Sequence, residues 1–418
     1  MMMVWGQFHD HDITLTPLAK VDCHDVCVNS DEHLNCFPIP TPNDDFRDCM
    51  PFTRSSTNCM GGTPVRRDQV NAITAFTDAS MVYGSDNDLA EKLRGEDGLL
   101  RINEQFSSPT GKSYMPFMEG PTTCQQNPNK PEGEPDIPCF LAGDGRSNEH
   151  PALTAMHTIF MREHNRLARA IKQMNPDFNS DAIYFEARKI LGAIVQRITW
   201  VEFLPKLIGM DLMADYDGYN YTVNPGVFNA ISTAAYRCGH SMIHNLTFRL
   251  DEDLEEYEYG NLPLHMTFFS PWRIIEEGGL DPILRGVYGV GNKIAKPNEN
   301  FGEELLDRLF ALDEADNDRT RGMDLPALNI QRGRDHGLAT YNDFRELLFG
   351  SRATSFADLS DKIPPAALAK IESVYDSVDD IDLFAGGSME TLAPGAAVGP
   401  TFQQIIARQF RNFMVGDR

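Results

Sequence analysis

Apolar residues recur at three- and four-residue intervals through much of the chain. The clearest stripe runs from Pro151 to about Met174 through Met156, Phe160, Leu167 and Ile171, with Ile159 beside it. That spacing is one face of a helix. His164 falls on the stripe and reads as a hydrogen-bonded core histidine rather than a ligand. A second long helix is predicted over roughly 181–207, and a third from Pro225 through Ala234 to His240 and Met242. Ser270-Pro271 reads as an N-cap followed by proline at the first helical position, with Gly278-Gly279 as the stop. Further helices are predicted near 302–311, 336–349, 364–375 and 400–413. Alternating strand patterns are short and few. The predicted class is mainly α, with long ordered loops and little β. A length of 418 residues nominally allows two or three domains, but no Ser/Gly-rich linker, internal repeat or low-complexity block divides it. A single domain over 1–418 is expected.

The first dozen residues depart from the apolar pattern. Trp5-Gly6-Gln7-Phe8-His9-Asp10-His11-Asp12 sets a histidine between two aspartates. Read as helix, Gln7 and His11 share a face, Asp10 lies beside them, and Asp12 turns about 100° away. One turn then offers a base, an amide, a carboxylate on the same side and a carboxylate aimed elsewhere. A solvated acidic face is the competing reading. The HxHxDH ligand pattern of metallo-hydrolases does not fit, because it would need Asp at 13 and His at 14, which are Ile13 and Thr14.

Charge and cysteines narrow the setting. Lys+Arg 37 against Asp+Glu 61 gives a net charge of -24, which repels nucleic acid and anionic membrane surfaces. No stretch of 18 apolar residues suggests a membrane span. Five of the eight cysteines, Cys23, Cys27, Cys36, Cys49 and Cys59, crowd one early Pro-rich stretch; Cys124 and Cys139 bracket another, and Cys238 stands apart. Cys23-x3-Cys27 could suggest zinc, but a disulfide-stapled loop fits the irregular segments better and implies an oxidising compartment. Sequons at Asn220 and Asn245 agree with secretion. No charged-then-apolar leader precedes the first helix, and the chain is expected to lack pieces at both ends.

Four further constellations carry chemistry. Thr74-Ala-Phe76-Thr-Asp78-Ala-Ser80, in an extended backbone, would present Thr74, Phe76, Asp78 and Ser80 on one side. A hydroxyl, a main-chain carbonyl, a carboxylate and a second hydroxyl are hard oxygens that suit calcium, and Asp12 can supply a second carboxylate. A helix N-cap region is the other reading of this segment. Asp144-Gly-Arg146-Ser-Asn-Glu149-His150-Pro151 sets an arginine and a glutamate three apart before a long helix, as chemistry or as capping. In Arg237-Cys-Gly239-His240-Ser241, Gly239 lets a flat group approach the backbone, and a histidine there can ligate a haem iron through Nε2. Its Nδ1–H would then need an acceptor. Leu325 to Gly337 supplies Asn329 as that carbonyl acceptor and Arg332 as a cation for a haem propionate.

Taken together, WGQ-x-x-DHD, T-x-F-x-D-x-S-M-V-Y-G-S, A-G-D-x-R-S-x-E, R-x-G-H-S and L-N-I-Q-R-G-R-D-H-G, in this order and spacing, resemble the animal haem peroxidase (peroxidase–cyclooxygenase) superfamily. The closer likeness is to its peroxinectin/peroxidasin/myeloperoxidase branch, over nearly the whole chain. The resemblance implies a mostly α fold and a haem b tethered by esters through Asp10 and Glu149. It implies an extracellular enzyme that reduces hydrogen peroxide, through a ferryl intermediate, while oxidising halide, thiocyanate or a phenolic donor. By motif, His11 and Arg146 match the distal histidine and arginine, and Gln7 the distal glutamine. His240 matches the proximal iron ligand and Asn329 its Nδ1 partner. Arg237 and Arg332 match propionate partners, and Asp12, Thr74, Phe76, Asp78 and Ser80 a Ca2+ site. Cys23, Cys27, Cys36, Cys49 and the Cys124/Cys139 pair match family disulfide positions. Cys59 would find its partner outside this stretch or on another subunit, and Cys238 would be a free, buried thiol.

One departure bears on specificity. His150 follows Glu149, where myeloperoxidase-type chains carry a methionine bonded to a haem vinyl. No sulfonium link can form, so chloride should be a poor donor. The rival function is a peroxinectin-like adhesion protein, in contact with extracellular matrix or the cell surface, whose peroxidase fold is not essential. The chain contains no RGD or KGD; the nearest string is Arg94-Gly95-Glu96. A cyclooxygenase reading fits the Gly-His-Ser and Asn-Ile-Gln-Arg motifs less well.

Overall fold

The stripe predicted from Pro151 forms a helix of 24 residues, and helices make up most of the regular structure in a computed structural model of the chain. The structure describes residues 1–23, 27, 34–41, 49–58, 67–213, 215–311 and 322–418. Strands among the described residues form two short antiparallel pairs, Ile39–Pro40 with Cys49–Met50 and Leu246–Thr247 with Leu262–Pro263. No described helix is long and apolar enough to cross a membrane. Packing divides the chain into two compact units, each assembled from three stretches.

The first unit comprises Met1–Ile13, Thr77–Phe203 and His244–Asn292. Its opening helix, α1 (Met2–Ile13), packs on the long helix through aromatic rings. Phe8, fully buried, lies 4.9 Å from Phe160 and meets the edge of His157 at 5.0 Å, while Trp5 also contacts Phe160. Burying one phenylalanine contributes about 2–3 kcal/mol, so this contact fixes the helix that carries Gln7 and His11. A short helix, α2 (Ser80–Tyr83), follows the Thr74–Ser80 segment. The long helix, α3 (Pro151–Met174), starts with proline in its first turn, where a missing N–H costs nothing. It packs on α4 (Ser180–Ile198) through Ala168, Ile171, Ile183 and Ala187. His164 is a core histidine as expected, bonded to the Tyr83 hydroxyl at 2.8 Å and the Gly98 carbonyl at 3.0 Å.

The predicted 181–207 helix is interrupted. After α4 the chain takes a wider π turn over Thr199–Phe203, and a separate short helix spans Leu204–Ile208. Pro205 has no N–H to give Val201, so the regular ladder cannot continue there.

The second unit comprises Thr14–Phe76, Leu204–Ile243 and Lys293–Arg418. The predicted third helix resolves into a short α-helix, Asn229–Thr233, and a 3₁₀ run, Ala235–Met242. The sequence pattern missed a helix, α5 (Leu325–Asp335). Its buried residues are Asn329, Gln331 and Asp335, so it shows no apolar stripe. The helix expected from 336 begins instead at Tyr341, as α6 (Tyr341–Phe349). Gly337 has φ +65° and breaks the chain between the two helices, and Thr340 with Asp343 forms a capping box. The helix predicted near 302–311 shortens to Glu303–Leu306. The last helix, α7 (Pro400–Gly416), sets Phe410 against Tyr236. A compact cluster of Tyr341, Leu359, Ile363, Ile371 and Ile381 supports α6.

Among the described residues three disulfides are present, Cys23–Cys36, Cys27–Cys49 and Cys124–Cys139, and Cys238 is a buried free thiol. The stapled-loop reading, not the zinc reading, is therefore correct for these cysteines. Cys59 lies outside the described residues.

Candidate active site

The first unit gathers Gln7, Asp10, His11, Arg146 and Glu149. Gln7 and His11 sit one turn apart on α1 as the periodicity requires. Arg146 lies in a 3₁₀ turn, Gly145–Asn148, just before α3. Asp144 builds that turn. Its Oδ1 accepts from the Arg146 backbone N–H at 2.8 Å and from Nε at 2.9 Å, and its Oδ2 accepts from Nη2 at 2.8 Å. Burial alone would raise the Asp144 carboxyl, but the Arg146 bonds and charge outweigh it and hold the group well below the usual carboxylate range. Asp144 Oδ1 also lies 3.5 Å from His11 Nδ1, and Asp10 Oδ2 lies 3.7 Å from Arg146 Nη1. Burial, then the Arg146 charge, keeps His11 well below the ordinary histidine range. His11 is thus a neutral base facing a fixed cation.

Glu149 and His150 complete this cluster. Burial pushes the Glu149 carboxyl up to about 7; Arg146 opposes the rise and Asp10 adds to it. His150 Nε2 donates to Gln7 Oε1 at 2.7 Å, and the Gln7 amide in turn bonds Glu149. Burial lowers His150 to about 4, so it is a neutral donor. The structure brings Gln7, Asp10, His11, Arg146 and Glu149, all singled out from the sequence, into one cluster. The sequence pattern gives Asp144 no role of its own and does not show that this carboxylate faces both Arg146 and His11. The Asp-x-Arg spacing was the available signal.

The hard-oxygen cluster is partly assembled in the same unit. Asp12 is fully buried. Its Oδ1 accepts from the Ser80 N–H and hydroxyl, each at 2.6 Å, and its Oδ2 from Ala79 N–H at 3.0 Å. Burial, then the Asp78 charge, pushes Asp12 up to about 7. A buried carboxylate repelled by its neighbour is what a cation would relieve, so the donor set fits calcium. The extended backbone expected for 74–80 is not observed: bends interrupt it and Ala79 has φ +66°. Strand alternation therefore does not set these side chains. Thr74 and Phe76 belong to the second unit and are exposed. Among the described residues no group of three or more His, Cys, Asp or Glu side chains could hold a metal by itself.

The second unit holds the imidazole–amide cluster. His240 sits in the 3₁₀ run, and its Nδ1 lies 2.9 Å from the Asn329 amide nitrogen. The expected pairing is present, but with its polarity reversed. Arg237 Nη1 donates to Asn329 Oδ1 at 2.7 Å. A guanidinium can only donate, so the amide must present its oxygen to Arg237 and its NH2 to His240. Burial, then the Arg237 charge, lowers His240 to about 3. Arg237 Nε also donates to the Ser232 carbonyl at 2.8 Å. Arg332, expected to serve a propionate, bonds the Thr53 carbonyl, Ser55 Oγ and Asp335 Oδ2, and its guanidinium lies over the Phe52 ring.

Comparison with known proteins identifies the class. The animal haem peroxidase family matches residues 1–418, and the chain belongs to that family. Among individual relatives, the chain is 42% identical over 443 residues to a peroxidasin homolog of Mus musculus, covering 100% of this chain and 29% of that protein. It is 42% identical over 442 residues to thyroid peroxidase of Rattus norvegicus, covering 99% of this chain and 47% of that protein. The chain thus spans less than half the length of these relatives. Among solved structures, peroxidase A from Dictyostelium discoideum aligns with a TM-score of 0.82 at 26% identity, over 100% of this chain and 78% of that one. An Oryza sativa fatty acid alpha-dioxygenase aligns at 0.74 and 19% identity, over 100% and 68%, which shows a shared fold alone.

Proposed function

We propose that the chain is the catalytic domain, 1–418, of a haem peroxidase that reduces hydrogen peroxide and oxidises halide, thiocyanate or phenolic donors. The observation that carries this reading is a neutral, buried His11 beside Arg146, whose guanidinium Asp144 holds by two hydrogen bonds and whose backbone N–H it holds by a third. A neutral imidazole can take a proton from one peroxide oxygen and return it to the other, so that the leaving group departs as water. Arg146, already fixed, stabilises the charge that develops as the O–O bond breaks. Gln7, tied to His150 and Glu149, is a rigid amide rather than a mobile one.

The residues present fit a haem b. His240 is neutral and Asn329 engages its Nδ1, so Nε2 is the nitrogen that would coordinate iron once the ring proton lies on Nδ1. A haem would supply the electrons that reduce peroxide and recover them from the donor. Coordination through Nε2 needs the His240 proton on Nδ1, which requires Asn329 to turn its carbonyl towards it. Arg237, which would also hold a haem propionate, is the group whose release from Asn329 would permit that turn. Asp10 and Glu149 would tether the haem as esters, and Asp12, Asp78 and Ser80, with Thr74 and Phe76, would hold Ca2+. Three disulfides support an extracellular setting. Asn220, exposed and bonded through Oδ1 to Thr222 N–H and Oγ1, is a sequon available for glycosylation. No observation favours the adhesion reading over this one.

The test is peroxide-dependent oxidation of iodide, bromide and tyrosine by the haem-loaded protein, followed by extraction with acidified organic solvent. Turnover with haem that resists extraction supports the reading. Bound haem without peroxide-dependent oxidation of any donor contradicts it.

A further inference from the structure

Asp144 has two kinds of neighbour, and the mechanism above uses only one of them. Its three bonds to Arg146 fix the cation. The same Oδ1 also lies 3.5 Å from His11 Nδ1, an ion-pair distance. His11 Nδ1 is buried and has no hydrogen-bond partner among the described residues. Both side chains are nearly inaccessible, 4% and 3% exposed. We infer that Asp144 is a positioning residue that fixes which nitrogen of His11 carries the proton.

The reasoning is one of donors and acceptors. An ionised carboxylate only accepts. A neutral imidazole has one N–H, and beside a carboxylate the favoured position for it is Nδ1. The lone pair is then on Nε2, where the base function needs it. The opposite tautomer would put N–H on Nε2 and leave nothing to take a proton from peroxide. The contact also strengthens as the reaction proceeds. When His11 accepts a proton it becomes a cation 3.5 Å from a buried anion, so Asp144 favours the charged state more than the resting one. Interactions of that kind raise the rate of the chemical step rather than binding. Such contacts are commonly long before the substrate is bound and tighten in the reacting complex.

This inference rests on the peroxidase reading, and the test separates the two. Asp144→Asn is nearly isosteric, and its amide can donate to His11 Nδ1 and drive the proton to Nε2. The haem-loaded protein, Asp144→Asn, His11→Ala and the double variant are mixed with peroxide in a stopped-flow instrument, and the rate of the first spectral change is read. Asp144→Asn should lose at least about 100-fold on the unmodified background. On the His11→Ala background its loss should be at least tenfold smaller, because the residue acts through His11. A smaller difference between the backgrounds, or no loss in Asp144→Asn, overturns the assignment. If Asp144→Asn does not fold, the tautomer is read directly in 15N-histidine-labelled unmodified protein as the diamagnetic ferrous carbonyl form, assigned by loss of the signal in His11→Ala. Protonated Nδ1 is expected, and protonated Nε2 overturns the assignment. An unmodified protein that binds haem but never reacts with peroxide overturns the peroxidase reading, and this inference with it.

Discussion

If Asp12 and Asp78 hold calcium as proposed, removing it should destabilise the first unit, and the damage should depend on pH in a direction set by Asp12. In the cation-free chain Asp12 is fully buried and pushed from 3.8 to about 7, by burial first and by Asp78 second. At 1.36 kcal/mol per pH unit that rise corresponds to roughly 4 kcal/mol. The folded chain binds this proton more tightly than the unfolded chain does, so acid favours folding. The penalty is absent below about pH 4, grows as the pH rises, and is complete above about pH 7. A divalent cation held with the help of Asp12 and Asp78 would offset it by favouring both anions. Chelation at pH 8 should therefore expose nearly the whole penalty, and chelation at pH 5 much less of it. For a unit of this size, 4 kcal/mol is a fall in Tm of on the order of 10 °C. The assay is thermal unfolding followed by circular dichroism, with and without EDTA, at both pH values, after metal analysis of the starting protein. Equal Tm loss at pH 5 and pH 8, or no loss at pH 8 from a protein shown to have lost its calcium, would refute the reasoning.

Other outcomes follow from the same geometry. His240→Ala should abolish stable haem uptake or give a spectrum lacking the histidine ligand; a normal Soret band with normal turnover removes His240 from that role. His150→Met should raise chloride relative to bromide oxidation at matched halide concentration and red-shift the Soret band. The change also deletes the His150–Gln7 bond. An unmodified protein that already chlorinates about as fast as it brominates contradicts the specificity argument.

Local chemistry was more legible in the sequence than the polar buried face. The apolar stripe through Met156 and Phe160 announced the long helix, and i,i+4 spacing alone put Gln7 and His11 on one face. Helix α5 was silent because it buries Asn329, Gln331 and Asp335, and Asp335 is used to accept from Arg54 and the Ser55 N–H. No hydrophobic period marks such a face. The 74–80 segment misled because period-two reasoning assumes an extended backbone, and Ala79 in the left-handed region breaks it. The Asn329 amide could not be oriented from sequence, since its direction depends on the Arg237 guanidinium, 92 residues away along the chain. Likewise, nothing local marked Asp144 for a second role, because its contact with His11 crosses more than a hundred residues.

The central claim, that His11 is the acid–base group and Arg146 the charge stabiliser of a haem peroxidase, is tested most directly by one rate. Haem-loaded protein and its His11→Ala variant are mixed with hydrogen peroxide under pseudo-first-order conditions, and the first spectral change is timed. The account predicts a fast reaction in the unmodified protein and a loss of about 100- to 10,000-fold in the variant, with haem content unchanged. Equal rates in the two proteins would contradict it.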